Sequence, residues 1–487
     1  MDAIGFALPR VGISLPVFRK SHPYWSKWIS LAVGAAGMAL AAATFTFPVW
    51  QNALRAILNQ TETQSNIMAQ VGTVGTLIAF PAGIMFERYG SQINTIIGGI
   101  VFGSTLFILT LATSVWKSFF SENMWLIYLI WFIHGLGNVS LYMGSLMPNV
   151  LNFKANDRGK VLGFLDMASS LGPTLLSYIY NIYFTNGYIN SGEEGEQNLS
   201  GYFSFLTVVT TVICVCLFFF SGRIDDDSSE IAQGDVEAAN LLENEVQNID
   251  DYAEPKPPNF FSEYPFAERD FWSILPRWNF RFFIAQFALA GCCQLTFQNN
   301  ISTYLKSFNL SDRNLLFTTL NTALQAITKL IAGFISDIVA QGGKMPRAVV
   351  YLVPYVLQTI MFTISIFHGD NFIILILTCI FVGMGFGVNW CQSPTLLGEL
   401  FGEKHLASNW GWSMLVTGIL GFPYSLAFSS VYESAIIQPG ESYCYGIACF
   451  TWSFALMAVS SFCALIMALG LSQNMLRNGK IRRSKKR

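Results

Sequence analysis

The amino-acid sequence predicts an all-α polytopic membrane protein in which twelve transmembrane helices form two pseudo-symmetric halves of six. Of the 487 residues, 52% are hydrophobic and only 12% are charged, and the mean hydropathy is +0.44. A soluble domain carries about 25% charged residues. The apolar residues also gather in runs of about 20 or more, which is the length that crosses a bilayer as a helix.

A repeated motif predicts the division into halves. The stretch 83–90, Gly-Ile-Met-Phe-Glu-Arg-Tyr-Gly, ends one apolar run and opens the next, and 333–337, Gly-Phe-Ile-Ser-Asp, does the same further along. One such stretch alone would mark only a tight turn between helices. However, several pairs of features are separated by the same number of residues along the chain. These pairs are Gly83 and Gly333, Glu87 and Asp337, Lys27-Trp28 and Arg277-Trp278, and Gly135-x-Gly137 and Gly385-x-Gly387. This spacing indicates one unit written twice, and a repeat of membrane spans is typical of secondary transporters.

The apolar runs define the expected spans in order. They cover residues 27–50, 65–86, 93–115, 124–151, 160–184, 201–221, 279–305, 314–337, 348–367, 371–399, 407–431 and 446–471. The chain therefore divides into an N-terminal segment (1–26), an N-terminal six-helix half (27–221), a linker (222–278), a C-terminal six-helix half (279–471) and a basic tail (472–487).

The distribution of basic residues predicts the orientation. Nearly all of the 28 Lys and Arg fall in segments on the same side as both termini. The exceptions are Arg55, Lys117, Lys306 and Arg313 on the other side and Lys329 within a span. Because basic residues are enriched in cytoplasmic loops, both termini are expected in the cytoplasm. The glycosylation sequons at Asn59, Asn198 and Asn309 all fall in loops placed outside, so a glycoprotein is expected.

The linker is acidic and is expected to be a largely disordered cytoplasmic segment. Between Asp225 and Asp270 its only basic residues are Lys256 and Arg269, and such a composition cannot bury enough apolar surface to fold. Glu237, Leu241 and Leu242 have the spacing of an endosomal or lysosomal sorting signal that would bind an adaptor, although a short amphipathic helix without a partner has the same spacing.

Two ionisable residues inside the predicted spans need an explanation, because charges in a bilayer are costly. Asp166 lies about two turns into the fifth span, and Lys329 lies about two turns from the cytoplasmic end of the eighth. Since both are at a similar depth, we expect them to pair where the halves meet and to latch one conformation. The alternative is that each faces a water-filled vestibule without pairing.

Polar residues at related positions in both halves predict a shared central cavity. His134, Asn138 and Tyr142 have the i, i+4, i+8 spacing of one helix face. The other candidates for the cavity wall are Thr44, Gln294, Gln298, Asn299, Asn389 and Gln392. Such groups must find protein, water or substrate as partners within the membrane. For any one of them a hydrogen bond between helices, worth about 1 kcal/mol or less, is an equally simple role.

The motifs resemble those of the major facilitator superfamily. Stretch 83–90 is similar to the family's loop motif between the second and third helices, and 333–337 is similar to its second copy. Here Glu87 stands in place of the usual Asp, and Ser91 and Gln92 stand in place of the usual basic pair. The resemblance implies the major facilitator fold and assigns the gating loops to Gly83, Glu87, Arg88, Gly90, Gly333 and Asp337.

Within that superfamily the chain is similar to the nodulin-like, monocarboxylate-transporter-like group. The residues that carry the similarity are Ser26-Lys27-Trp28, Asn152-Phe153, Arg158-Gly159-Lys160, Asp270-Phe271-Trp272, Lys329 through Phe334, Pro346-Arg347, Phe401-Gly402-Glu403-Lys404 and Cys444-x-x-x-x-Cys449-Phe450. Asp166 stands where that group often has a basic residue. The run from Phe80 to Gly90 also resembles large-neutral-amino-acid transporters.

These observations predict a secondary active transporter that moves a small organic solute, such as a monocarboxylate or another organic anion, by alternating access. An amino-acid transporter of the same fold is the alternative substrate class, and a non-transporting membrane sensor or scaffold is the alternative from another class. No Gly-x-Ser-x-Gly, Walker loop or metal-ligand cluster occurs, so we expect no enzyme, cofactor, metal or nucleic-acid partner. A monomer in the plasma membrane or in a lysosomal or vacuolar membrane is expected, and a Cys444–Cys449 disulfide is left open.

Overall fold

The computed structural model describes residues 23–60, 62–154, 157–188, 194–222, 270–310, 313–341, 345–435 and 444–485, and within these ranges every regular element is helical. We call the described residues up to 222 the N-terminal half and those from 270 onward the C-terminal half.

The N-terminal half contains eight α-helices. They are α1 (Pro23–Ala41), α2 (Phe47–Leu58), α3 (Glu62–Leu77), α4 (Phe80–Ser114), α5 (Lys117–Glu122), α6 (Met124–Asn152), α7 (Arg158–Tyr183) and α8 (Leu199–Phe220). A 3-10 turn, Ala42–Thr46, joins α1 to α2. Helix α4 is broken at Gly90, whose φ of 83° lies in the region that favours glycine.

The C-terminal half also contains eight α-helices. They are α9 (Phe271–Ile274), α10 (Trp278–Asn299), α11 (Ile301–Ser307), α12 (Asn314–Gln341), α13 (Leu352–His368), α14 (Phe372–Phe401), α15 (Leu406–Ser434) and α16 (Thr451–Lys485). The short helix α9 belongs to the predicted linker, and its Phe271 and Ile274 are buried in the core that spans the two halves. Residues 223–269 of the predicted linker, including Glu237, Leu241 and Leu242, lie outside the described residues.

Ten helical segments within the described residues are long and apolar enough to cross a membrane. One of them, Gln70–Ser114, has 45 residues, which is about twice the length of a single crossing, and it contains the break at Gly90. Helix α7, which carries Asp166, is not among the ten. A polytopic all-α membrane protein is therefore confirmed, and the number twelve stays a prediction.

Candidate functional site

One end of the bundle, which we call the gate end, carries Glu87 and Asp337. Asp337 lies at the end of the membrane-spanning part of α12 and is fully buried. Its carboxylate accepts hydrogen bonds from the backbone N–H groups of Gly159 (3.1 Å) and Lys160 (2.8 Å) in the first turn of α7. An acid in this position satisfies the unpaired N–H groups of a helix N-terminus and its positive dipole. Asp337 of the C-terminal half thereby holds α7 of the N-terminal half.

Glu87 makes the corresponding contact in the opposite direction. Its Oε1 accepts a hydrogen bond of 2.7 Å from the backbone N–H of Ser408, in the first turn of α15, and its Oε2 lies 3.3 Å from His405 Nδ1. Glu87 of the N-terminal half thereby caps a helix of the C-terminal half. Arg88, the neighbouring residue in the motif, is exposed. The two acids that the repeat relates thus cap helices reciprocally across the boundary between the halves.

The charges around the two caps differ. Arg347 donates to Asp337 Oδ1 at 2.6 Å and lies 3.2 Å from Glu399, and both Arg347 and Asp337 are almost completely buried. The Glu87 cap has His405 instead of an arginine. A third contact joins Arg158 to Glu403 at 2.6 Å. Because the Asp337 cap combines a buried ion pair with two N–H bonds, we expect it to contribute more to closure than the Glu87 cap.

Asp337→Asn should therefore cost more stability than Glu87→Gln. Loss of a partner from a buried ion pair costs about 3–5 kcal/mol, whereas the amide of Glu87→Gln keeps an acceptor for Ser408 N–H, so its cost should stay within about 2 kcal/mol, as for a lost cap. Thermal unfolding of the purified chain in detergent measures both. Equal melting temperatures for the two variants would contradict this difference between the caps.

Glycines allow the halves to approach at these caps. A Cβ at Gly83 would lie closer than 3.0 Å to the carbonyl oxygen of Ala407, and one at Gly333 would lie as close to the carbonyl oxygen of Gly159. Real Cβ atoms do not make such contacts with backbone. The first pair joins α4 to α15 and the second joins α12 to α7, so both motif glycines lie where helices of opposite halves touch.

An aromatic stack bridges the halves and the end of the linker. Trp412 of α15 stacks on Phe80 of α4, with ring centroids 4.0 Å apart, and on Phe271 of α9, with centroids 4.9 Å apart. Stacked aromatic pairs are worth about 0.5–1.5 kcal/mol beyond the area they bury. The residues just before α10 are thereby attached to the boundary between α4 and α15.

Phe271→Ala should loosen this boundary and shift the protein towards the conformation in which the gate end is open. The substitution removes one ring from the stack and exposes Trp412, so Trp412 should become about tenfold more reactive towards a water-soluble oxidant. Oxidation of the Trp412 peptide, measured by mass spectrometry, tests this. The matched control is Trp272→Ala, because Trp272 is 65% exposed and its ring lies farther from Trp412, at 5.7 Å. An unchanged rate in Phe271→Ala would contradict the coupling.

Asp166 and Lys329 come together about two turns above the caps, at the α7–α12 boundary. The ammonium of Lys329 donates to the backbone carbonyl of Asp166 (3.4 Å) and to Ser169 Oγ (3.5 Å). The two side chains interact electrostatically, but among the described residues no direct contact of ammonium and carboxylate is present. Asp166 Oδ2 is buried without a hydrogen-bond partner. The predicted latch therefore stays a prediction, although Asp166 and Lys329 lie close together between the halves.

A row of aromatic side chains begins at Lys329. The Lys329 ammonium lies 5.8 Å from the ring of Phe386, which packs 5.5 Å from the ring of Trp390, and Trp390 in turn lies 6.1 Å from Trp410. Tyr142 lies within electrostatic reach of Asp166 and next to Trp410. We call these residues the central cluster: Tyr142, Asp166, Lys329, Phe386, Trp390 and Trp410. It draws on α6 and α7 of one half and on α12, α14 and α15 of the other.

Two of the predicted cavity residues instead form a hydrogen-bond network inside the C-terminal half. Asn389 accepts from Tyr355 Oη (2.7 Å) and donates to Gln294 Oε1 (3.3 Å), and Gln294 donates to Gln358 Oε1 (2.9 Å). Asn389 and Gln294 are completely buried. In this conformation they join helices α10, α13 and α14 rather than line a space between the halves.

The remaining predicted cavity residues are dispersed. Gln298 accepts from Gln325 of α12 at 3.0 Å, and Asn299 is exposed. Gln392 is next to Cys391, whose Sγ donates to Lys329 O, and its own Oε1 is buried without a partner. Gln392 therefore borders the central cluster, whereas Gln298 and Asn299 lie at the far end of α10.

In the N-terminal half the three residues predicted to share a helix face have different surroundings. His134 is stacked between Trp131 (4.5 Å) and Phe102 (4.2 Å), and its Nδ1 lies 2.9 Å from Thr105 Oγ1. Asn138 donates to Thr76 Oγ1 at 3.4 Å. Only Tyr142 reaches the central cluster. Thr44 lies in the 3-10 turn after α1, with its hydroxyl buried and without a partner.

Sequence reasoning did not find the aromatic part of the site. Phe386, Trp390, Trp410 and Trp412 occur in a chain with 42 Phe and 12 Trp, where aromatic residues are expected at lipid-facing surfaces and interface belts. The sequence Asn409-Trp410-Gly411-Trp412 was a usable signal. A Cβ at Gly411 would lie closer than 3.0 Å to the backbone of Phe80 and Ala79, so this glycine allows α15 to pack closely against the other half.

The end opposite the gate has features that agree with a solvent-facing surface. Cys444 and Cys449 form a disulfide, which settles the pairing that the sequence left open. Asn59, Asn198 and Asn309, the sequon asparagines predicted to lie in outside loops, are exposed. Asn59 and Asn309 have positive φ values of 52° and 58°, a conformation that asparagine tolerates better than most residues.

Comparisons with known proteins give one consistent family. A sequence profile described as Major Facilitator Superfamily matches residues 29–425. A probable transporter MCH1 of the yeast Yarrowia lipolytica is 22% identical over 452 residues, which cover 87% of this chain and 88% of the relative. Among solved structures, the transporter FucP in its outward conformation aligns with a TM-score of 0.61 at 13% identity, over 92% of this chain and 99% of FucP. The proton:xylose symporter XylE aligns with a TM-score of 0.61 at 13% identity, over 91% and 95% of the two chains.

Proposed function

Because this chain belongs to the Major Facilitator Superfamily and is a membrane transporter of that family, we propose that it is a secondary active transporter that moves a small organic solute by alternating access. The observation that carries the proposal is the reciprocal capping at the gate end. Glu87 holds α15 and Asp337 holds α7, so the two halves are joined by a few contacts that can separate together.

The arrangement supports a rocking motion about a site between the halves. Polar contacts of the caps can be exchanged for water, whereas the apolar helix packing within each half is costly to break. The central cluster lies about 12 Å from the caps, judged by the two turns of α12 between Lys329 and Asp337. A solute bound there would be shielded from the gate end while the caps are closed.

The chemistry of the central cluster supports a charged organic solute. Lys329 is a buried ammonium whose contacts here are long and are made with neutral oxygens, so a carboxylate would be a better partner. This supports the monocarboxylate or organic-anion class, as does the resemblance of the sequence to the nodulin-like group. Amino acids are the alternative class, because they also carry a carboxylate.

A membrane sensor or scaffold is the second candidate function. One observation favours it, namely the stacking of Phe271, at the end of the linker, on Trp412 at the boundary between the halves. A partner bound to the acidic linker could act on the gate end through this contact. The orientation with both termini in the cytoplasm, glycosylation, monomeric state, adaptor binding and residence in the plasma membrane or a lysosomal or vacuolar membrane are parts of the same proposal.

Reconstitution tests the proposed function. The purified chain in liposomes should exchange a labelled carboxylate or amino acid for the same unlabelled solute inside, and empty liposomes and the Gly83→Leu variant should not. If no solute from either class moved, and a cytosolic partner bound residues 222–278, the transporter proposal would be replaced by the sensor.

A further inference from the structure

The central cluster and Gln392, which borders it, contain buried polar atoms on both sides of the boundary that have no hydrogen-bond partner. They are Asp166 Oδ2 from the N-terminal half and Trp390 Nε1 and Gln392 Oε1 from the C-terminal half. Each buried polar group without a partner costs about 1–3 kcal/mol. These three atoms belong to residues of the central cluster or to its neighbour Gln392, on both sides of the boundary, and a solute bound there would supply the partners that they lack.

The unpaired atoms comprise both donors and acceptors. The indole N–H of Trp390 needs an acceptor, whereas the indole of Trp410 lies next to Tyr142. The Lys329 ammonium, 5% exposed, has only long contacts to neutral oxygens. Asp166 Oδ2 and Gln392 Oε1 need a donor. An occupant with acceptors only would pair with the indole and ammonium donors but leave Asp166 Oδ2 and Gln392 Oε1 unpaired. An occupant with donors only would pair with these two oxygens but leave the indole and ammonium donors unpaired.

The charges of the site also favour an occupant with both donors and acceptors. Asp166 and Lys329 carry opposite charges, interact electrostatically and do not touch through their charged ends. A monocarboxylate would bind next to Lys329 and place a second negative charge close to Asp166, which costs free energy in a medium of low dielectric constant. A solute with both charges avoids this cost, because each of its charges faces the opposite one.

The walls between these polar atoms are apolar and aromatic. Between ring centroids, Phe287 lies 5.3 Å from Trp390 and 5.1 Å from Trp410, and Phe386 lies 5.5 Å from Trp390. Aromatic faces attract cations and bury apolar groups. A solute that fits would therefore have its charges close together and an apolar group beside them.

From this set we propose that the central cluster selects zwitterions: small solutes that carry a carboxylate and an ammonium on the same carbon together with an apolar side chain. The carboxylate is bound by Lys329 and the indole N–H of Trp390, and the ammonium is bound by Asp166. This rests on the proposed transport function and decides between its two substrate classes. Simple monocarboxylates are weak ligands of the unmodified chain, because they leave Asp166 without a donor.

A matched series of ligands tests the proposal on the purified full-length chain. Neutral amino acids of increasing side-chain size (alanine, leucine and phenylalanine) are each compared with the same skeleton lacking the ammonium and with that lacking the carboxylate. Binding is followed by the quenching of tryptophan fluorescence and by inhibition of exchange in liposomes. At least one amino acid should bind about tenfold or more tightly than both of its truncated forms, which corresponds to about 1.4 kcal/mol.

Variants of the charged pair add a readout that a purely structural role would not change. In binding measured by tryptophan fluorescence, Asp166→Asn should reverse the preference about tenfold towards the carboxylate without an ammonium, because the repelling charge has gone. Lys329→Gln should reverse the preference towards the amine that lacks the carboxylate. Ser169→Ala is the control, since it removes a neighbour of Lys329 but no charge, and it should keep the preference for zwitterions.

The outcomes separate this proposal from the proposed function. If the carboxylates without an ammonium bind as tightly as the amino acids, the zwitterion proposal is wrong and transport of organic anions stands. If solutes of neither class bind or exchange, both proposals fail. Should a charge variant not fold, the comparison of ligands on the unmodified chain remains decisive.

Discussion

Gly333→Ala is expected to open the gate end and to stop transport. The added Cβ would lie closer than 3.0 Å to the Gly159 carbonyl oxygen, so α12 and α7 could not approach as they do here. An extra methyl group in a packed contact costs about 1–3 kcal/mol, and 1.4 kcal/mol changes a conformational equilibrium about tenfold. Gly83→Leu should have the same effect at the other cap, where Ala407 blocks the added side chain.

The native Cys391 reports whether the gate end has opened. It is fully buried next to Lys329, so a membrane-impermeant maleimide should reach it about tenfold faster in Gly333→Ala than in the unmodified chain. Labelling of the Cys391 peptide is measured by mass spectrometry. Gly103→Ala is the matched control, because its Cβ would meet only Thr210 Cγ2 at an ordinary 3.7 Å. Normal transport in Gly333→Ala or Gly83→Leu would refute the assignment of these glycines to the gate.

The second large effect is expected at Asp166 and Lys329. Asp166→Asn and Lys329→Gln should each reduce transport to background and lower the melting temperature, because each leaves one buried charge without its counter-charge, at about 3–5 kcal/mol. The double variant Asp166→Asn/Lys329→Gln should regain most of the stability but not the transport. Exchanging the charges, as Asp166→Lys with Lys329→Asp, should restore part of both.

A double-mutant cycle on stability and exchange rate measures this coupling. Lys160→Gln is the control, since Lys160 pairs with Asp157 at a well-exposed position and such pairs contribute at most about 1 kcal/mol. Strictly additive losses in the cycle would rule out coupling between Asp166 and Lys329 and would favour the alternative that each faces water independently.

The sequence predicted the parts of this fold that depend on periodicity and repetition. The helical spans follow from apolar runs, and the structure confirms an all-α membrane protein. The repeat spacing predicted that Glu87 and Asp337 occupy equivalent positions in the two halves, but it did not predict which groups they bind. The hydrogen bonds to Ser408, Gly159 and Lys160 depend on how distant helices pack, and no local pattern encodes that packing.

The site was only partly predictable for the same reason. Asp166, Lys329 and Tyr142 were found because a polar group in an apolar run needs a partner. The same rule placed Asn389 and Gln294 in the cavity, whereas their partners in this conformation are Tyr355 and Gln358. A sequence shows that a buried amide needs a hydrogen bond but not whether protein or solute supplies it. Trp390 and Trp410 could not be told from lipid-facing aromatics by composition.

The distance between the halves at the gate end tests alternating access most directly. Spin labels at Tyr89 and Met345 lie at that end, on different halves, and both residues are exposed. The half-exposed cysteines Cys214, Cys216 and Cys463, and Cys391, which opening is expected to expose, would first be replaced by serine. With the chain in liposomes, pulsed electron resonance should give a short distance in the closed state and a second, longer one whose population rises about tenfold in Gly333→Ala and changes when a transported solute is added. A single distance that neither the solute nor Gly333→Ala alters would contradict the gate described here.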